Sequence, residues 1–150
     1  MDLPKVVLCP ASSPAAFAHF GKSVQNPVAI TQSEVTPEFV GRGGLRVWAA
    51  RAARQWEKAR KGDVLLFFRA SAAFAQAECL GTTISSQLAA SVWGEPEWQY
   101  LFFLGPVKPM SVPLADINKA LGYKSQYQVR QLVVLNETQS RAVLQLIRTH

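Results

Sequence analysis

Four tryptophans, Trp48, Trp56, Trp93 and Trp98, carry the most informative chemistry in this chain. Trp56 falls within a stretch of helical composition, where core packing accounts for it. Trp48 lies at the junction of a glycine-rich loop, Gly41-Arg42-Gly43-Gly44, and a basic segment. Trp93 and Trp98 bracket the turn-forming run Gly94-Glu95-Pro96-Glu97. Large aromatics on loops either cover a core or bind something. If the three pack over the core, they need no ligand. If two of the indoles face each other, they make a flat slot suited to a nucleobase. Stacking is worth about 1–3 kcal/mol per base and suits single-stranded or extruded nucleotides. A methyl group buried in such a slot adds only about 0.8 kcal/mol, roughly fourfold in affinity. Strong preference for a methylated base therefore requires a fitted cage, or a hydrogen bond that the competitor loses.

Charge points to a polyanionic partner. Lys and Arg number 16 against 10 Asp and Glu, for a net charge of +6. Half of these cations fall between Arg42 and Arg69, where only Glu57 and Asp63 oppose them. A clustered basic face is the electrostatic footprint of phosphate contacts. Arg42, Arg46, Arg51, Arg54 and Lys58 are the candidate phosphate-binding residues.

Catalytic groups are sparse. The histidines are His19 and His150, and His19 has no evident nucleophile near it in sequence. A helix surface or the edge of a pocket is its expected place. No Cys/His cluster has zinc spacing, no paired-carboxylate motif stands out, and neither a Walker A nor a GxGxxG pattern occurs. The Gly41–Gly44 loop is either plainly flexible or offers backbone N–H groups to one phosphate. The expectation is a binding module that needs no metal or cofactor, with any nuclease or NTPase on another domain or subunit. Cys9 and Cys79 sit in apolar strand-like runs and read as buried free thiols. The first residues lack a signal-peptide pattern, and no apolar run approaches the ~18 residues of a membrane span. A soluble, cytoplasmic protein is expected.

The elements that must position these residues follow from pattern. A chain of 150 residues, 49% of them hydrophobic, fits one globular domain over 1–150. Lys5 to Cys9 reads as a short buried strand. Ser13 and Pro14 open a helix over Ala15 to Val24, and Val28 to Ile30 is extended. Ala49 to Lys61 is Ala- and Arg-rich, free of Gly and Pro, and predicts a helix ended by Gly62. Val64-Leu65-Leu66-Phe67-Phe68 is a buried strand with Phe74 to Ile84 as hairpin partner. Ser86 to Ser91 is polar and helix-compatible, Trp93 to Trp98 is a loop, and Tyr100 to Leu104 is a strand. Ser111 to Leu121 predicts a short helix, Leu132 to Leu135 a strand, and Thr138 to Thr149 an amphipathic final helix. Strands with irregularly interspersed helices imply an α+β fold with a mixed, curved sheet.

The ordered motifs resemble known families. Trp48, the basic segment, and Lys61-Gly62-Asp63-Val64-Leu65-Leu66-Phe67-Phe68 together resemble the EVE and YTH families of PUA-like domains. Ser91-Val92-Trp93-Gly94-Glu95-Pro96-Glu97-Trp98 before a hydrophobic strand resembles the YTH segment that carries two tryptophans. Val6 to Val28, with its run from His19 to Val28, is similar to specificity domains fused to modification-dependent restriction enzymes. The resemblance spans most of the chain. It implies a PUA-like mixed sheet or barrel with flanking helices, and an aromatic cage for a modified base at Trp48, Trp93 and Trp98. In those families the loop after the first strand also contacts the base, through a Lys-Ser-type motif. Here that loop is Pro10-Ala11-Ser12-Ser13 and lacks the lysine, while Ser12 and Ser13 keep hydroxyls able to bond a base edge. The implied role is recognition of a modified base in DNA for a prokaryotic restriction system. The alternatives are a YTH-like reader of methylated RNA, an ASCH-type hydrolase, whose catalytic Lys with acidic or Thr partners finds no evident set here beyond Lys61 and Glu78, and a protein-interaction domain with the tryptophans as a docking patch.

Overall fold

The computed structural model describes residues 4–28 and 45–149. Its strands are β1 (Val6–Pro10), β2 (Arg46–Ala50), β3 (Val64–Arg69), β4 (Ala72–Ile84), β5 (Tyr100–Leu104), β6 (Lys108–Pro113) and β7 (Val133–Val134). Helices α1 (Pro14–Phe20), α2 (Ala53–Trp56), α3 (Ser86–Trp93), α4 (Leu114–Leu121) and α5 (Glu137–Thr149) flank them. The sheet runs β2-β5-β4-β3-β1-β7, with β6 also paired to β4. Only the β1–β3 pair in it is parallel, Val6 lying opposite Val64. The long strand β4 pairs with β3, β5 and β6, and its register shifts between Ala73 and Ala75 and between Cys79 and Gly81. Such bulges bend and twist a strand, so β4 curves the sheet about the core. This is the α+β architecture with a mixed, curved sheet that the sequence pattern implied.

Period-two alternation sorts the core onto two faces. Leu65 and Phe67 of β3 and Phe102 of β5 point to an inner cluster with Phe20 and Trp48. Leu66 and Phe68 point the other way, against Ile117 of α4 and Val143 of α5. Leu101 and Phe103 are covered by Leu88, Val92 and Trp93 of α3. Strands buried on both faces carry no polar side, which is why β3 reads as an unbroken apolar run. Beneath it, buried Asp63 ties two strand starts together. Its Oδ1 accepts the Lys5 amide at 2.9 Å and its Oδ2 the Arg60 amide at 2.7 Å.

Four local expectations are corrected. The helix expected over Ala49–Lys61 is a strand end followed by the four-residue α2. Arg46 to Ala50 pair residue for residue with Leu104 to Tyr100, and that ladder outweighs the helix propensity of Ala and Arg. The first helix is α-helical only to Phe20 and continues as a π-helical turn over Gly21–Gln25. Residues 108–113 pair with β4, so the helix expected from Ser111 begins at Leu114. Trp93 closes α3, and the loop starts at Gly94, whose φ of 74° caps the helix in the left-handed region. Val28 bridges to Leu45; the remainder of the expected Val28–Ile30 extension and the Gly41–Gly44 loop lie outside the described residues. Among the described residues no helix is long and apolar enough to cross a membrane.

Candidate functional site

One cavity of about 690 Å³ opens beside the end of β2. Trp48, Ala49 and Ala50 of β2 line it, with Arg51, Ala52, Arg54 and Gln55 continuing from them. Helix α1 contributes Ala16 and His19, one helical turn apart, so the same face of α1 meets the cavity. Trp93 and Trp98 enter from the two ends of the Gly94–Glu97 turn, and Arg130, Gln131 and Leu132 close the far side.

The three tryptophans meet this cavity on different terms. Trp48 is only 6% exposed. Its ring packs edge-on against Phe67 at 5.2 Å and Phe20 at 6.5 Å, so it belongs to the inner core and shows the cavity only a margin. Trp93 is also buried, and its Nε1 donates to Ser23 Oγ at 3.2 Å. The Ser23 hydroxyl lies 2.7 Å from the Val47 carbonyl and 3.0 Å from that of His19. Ser23 therefore fastens α1, β2 and the Trp93 indole at one buried point. Trp98 is half-buried, and the Arg51 guanidinium sits 5.4 Å from its ring centroid, a cation–π arrangement. Trp56 is a packing residue: its Nε1 donates to the Leu101 carbonyl at 3.0 Å and its ring meets Tyr100 at 5.4 Å.

His19 lies against both later tryptophans. Its ring centroid is 5.5 Å from Trp93 at an interplanar angle of 33°, and 5.8 Å from Trp98 at 88°. Its Nε2 is 2.7 Å from Glu95 Oε2, on the turn between them. Three arginines, Arg51, Arg54 and Arg130, line the same space. None of them is joined to a carboxylate among the described residues. Cations without a carboxylate partner suit an anionic ligand.

Other expected site residues lie elsewhere. Ser13 Oγ accepts the Ala16 amide at 3.1 Å as the N-cap of α1. Ser12 Oγ accepts the Ala70 amide at 3.1 Å. Neither serine is among the residues lining the cavity. Arg46 is half-buried at the start of β2, Lys58 is exposed beyond α2, and neither lines the cavity. Arg42 lies outside the described residues. Lys61 and Glu78 are exposed and away from the cavity. The sequence pointed to neither Ser23, Glu95, Gln55 nor the 130–132 strap. The one available signal was the helical spacing of Ala16 and His19. Cys9 and Cys79 are buried free thiols. Burial holds Cys9 well above the ordinary thiol range and lifts Cys79 to about 11, so neither is poised as a nucleophile. Among the described residues no group of His, Cys, Asp and Glu could hold a metal ion.

No protein-family model matches the chain, and no curated protein matches it in sequence. Solved structures do share its fold. The N-terminal domain of Thermococcus gammatolerans McrB, bound to m5C DNA, superposes with a TM-score of 0.75 at 15% identity, covering 97% of this chain and 98% of that one. The YTH domain of the Zygosaccharomyces rouxii MRB1 protein, in complex with N6-methyladenosine RNA, gives 0.59 at 18% identity over 98% and 88%. An ASCH protein of Zymomonas mobilis gives 0.54 at 10% identity over 97% and 99%. The chain thus has the fold common to the McrB N-terminal, YTH and ASCH domains.

Proposed function

We propose that this chain is a non-enzymatic reader of a modified base in DNA, the specificity module of a prokaryotic modification-dependent restriction system. The observation that carries this reading is the convergence of Trp48, Trp93 and Trp98 with Arg51, Arg54 and Arg130 on one cavity. Aromatic walls stack on the face of a base, and arginines without a carboxylate partner donate to the phosphates beside it. The target base leaves the stack and enters the cavity; a modified or weakly paired base costs less to extrude. Trp48 and Trp93 form the rigid back of the pocket and Trp98 its adjustable lip. Arg51 and Arg54 hold phosphates, joined by Arg130 from the opposite side. Cleavage or nucleotide hydrolysis belongs to another domain or subunit.

The DNA reading is favoured over RNA by the fuller superposition on the McrB domain, whose ligand is m5C DNA. The hydrolase reading is disfavoured because Lys61 and Glu78 do not line the cavity. The test is a binding panel of short duplexes carrying 5-methylcytosine, 5-hydroxymethylcytosine, N4-methylcytosine, N6-methyladenine or no modification, with RNA counterparts. One modified DNA should outcompete the unmodified duplex. Equal binding to all of them would refute the reading, and preference for a methylated RNA would replace DNA with RNA.

A further inference from the structure

We propose that His19 is the specificity-determining group of the pocket: its Nδ1 accepts a hydrogen bond from the exocyclic amino group of a cytosine- or adenine-type base. This rests on the base-pocket reading above and narrows the class of base it admits. Three observations carry it. The ring lines the cavity, so it is available to an occupant. It is held on two sides, by Trp93 at 5.5 Å and Trp98 at 5.8 Å, so its direction is set before a ligand arrives. Its Nε2 is engaged by Glu95 at 2.7 Å. A carboxylate can only accept, so the proton of a singly protonated ring resides on Nε2 and Nδ1 keeps a lone pair. Among the described residues nothing else is bonded to Nδ1.

The rest of the lining sharpens the assignment. The arginines and the indoles can only donate, and the Trp93 N–H is already given to Ser23. Gln55 Oε1 accepts the Val134 amide at 3.0 Å. Ala16, one turn before His19, has no polar side-chain atom. Gln55 Oε1 keeps one lone pair beside that bond, and Gln131, which also carries an amide oxygen, stands exposed. An acceptor fixed in an aromatic slot admits a base that offers an N–H there. It rejects one that offers a carbonyl, because two acceptors would then face each other unpaired.

The contrast that isolates this effect is 5-methylcytosine against thymine. They share ring size and methyl group and differ along one edge, an amino group beside a bare N3 in 5-methylcytosine against a carbonyl beside an N3–H in thymine. Each is placed opposite an abasic site, so that neither has a pairing partner to lose. The full chain should prefer 5-methylcytosine by about 5- to 150-fold. His19→Phe keeps a ring between the two tryptophans and should bind both oligonucleotides with that preference gone. Glu95→Ala, which leaves the ring but frees its tautomer, should narrow the preference. Equal binding of the two bases by the unaltered protein, or full preference in folded His19→Phe, would overturn the assignment. Equal affinity for both bases and for a bare abasic position would refute the pocket itself.

Discussion

Removing Trp98 and removing Trp48 should damage the protein in opposite ways. Trp48 is 6% exposed and locked edge-on between Phe67 and Phe20. Truncating such a residue to alanine costs about 3–5 kcal/mol in a core. For a chain of this length each kcal/mol moves the melting point by about 2–4 °C, so Trp48→Ala should melt about 6–20 °C early. Trp98 is half-buried, with Arg51 over one face and the His19 ring beside it. Its loss removes stacking worth about 1–3 kcal/mol, a fall of about 5- to 150-fold in affinity for the preferred base. The arginines still hold phosphates, so non-specific binding should persist. Thermal melts and fluorescence anisotropy with modified and unmodified duplexes, on both variants, separate the two effects. If Trp98→Ala melts as early as Trp48→Ala while keeping its base preference, the residue is core and the cavity is no base pocket.

The remaining predictions use the same preparations. The slope of log K against log salt should be about −0.9 per phosphate contact on duplex DNA. Arg54→Ala with Arg130→Ala should flatten it and weaken all sequences alike; an unchanged slope places the phosphate face elsewhere. Asp63→Ala strands the Lys5 and Arg60 amides and should cost about 1–3 kcal/mol for each, read by urea titration, with base preference unchanged in the folded fraction. Asp63→Asn, which keeps one acceptor, should lose less, and equal losses would contradict the two-bond account. The chain should neither cut DNA nor hydrolyse nucleotides, and metal-dependent turnover by a nuclease-free preparation would overturn the reader assignment.

What could be read from the sequence was local. Val64 to Phe68 announced a strand buried on both faces, and Ser13-Pro14 announced the start of α1. Trp93 and Trp98 were noticed because a short turn separates them, and Trp56 was assigned to packing, where it lies. The failures were non-local. Ala49 and Ala50 open a stretch of helical composition, yet they pair with Leu101 and Tyr100. Arg51 reaches the cavity directly after β2 and Arg54 from the four-residue α2, not from one continuous basic helix. His19 has no chemical neighbour in sequence because Glu95 comes from the far side of β4 and α3. The Ser13 hydroxyl accepts a local capping bond and the Ser12 hydroxyl the amide of Ala70, 58 residues away.

The placement of β1 between β3 and β7 has a consequence for how the chain is made. Its apolar run Val6-Val7-Leu8-Cys9 pairs with residues 64–68 on one side and 133–134 on the other. The Val6 amide is closed by Ser140 Oγ, 134 residues further on. Contacts of such long range raise the entropy of loop closure and slow folding. At synthesis rates of about 5–20 residues per second, β1 waits roughly 7–27 s on the ribosome before its last partner exists. Through that interval a hydrophobic edge stays unpaired, which puts the chain's hazard of aggregation before release, not after.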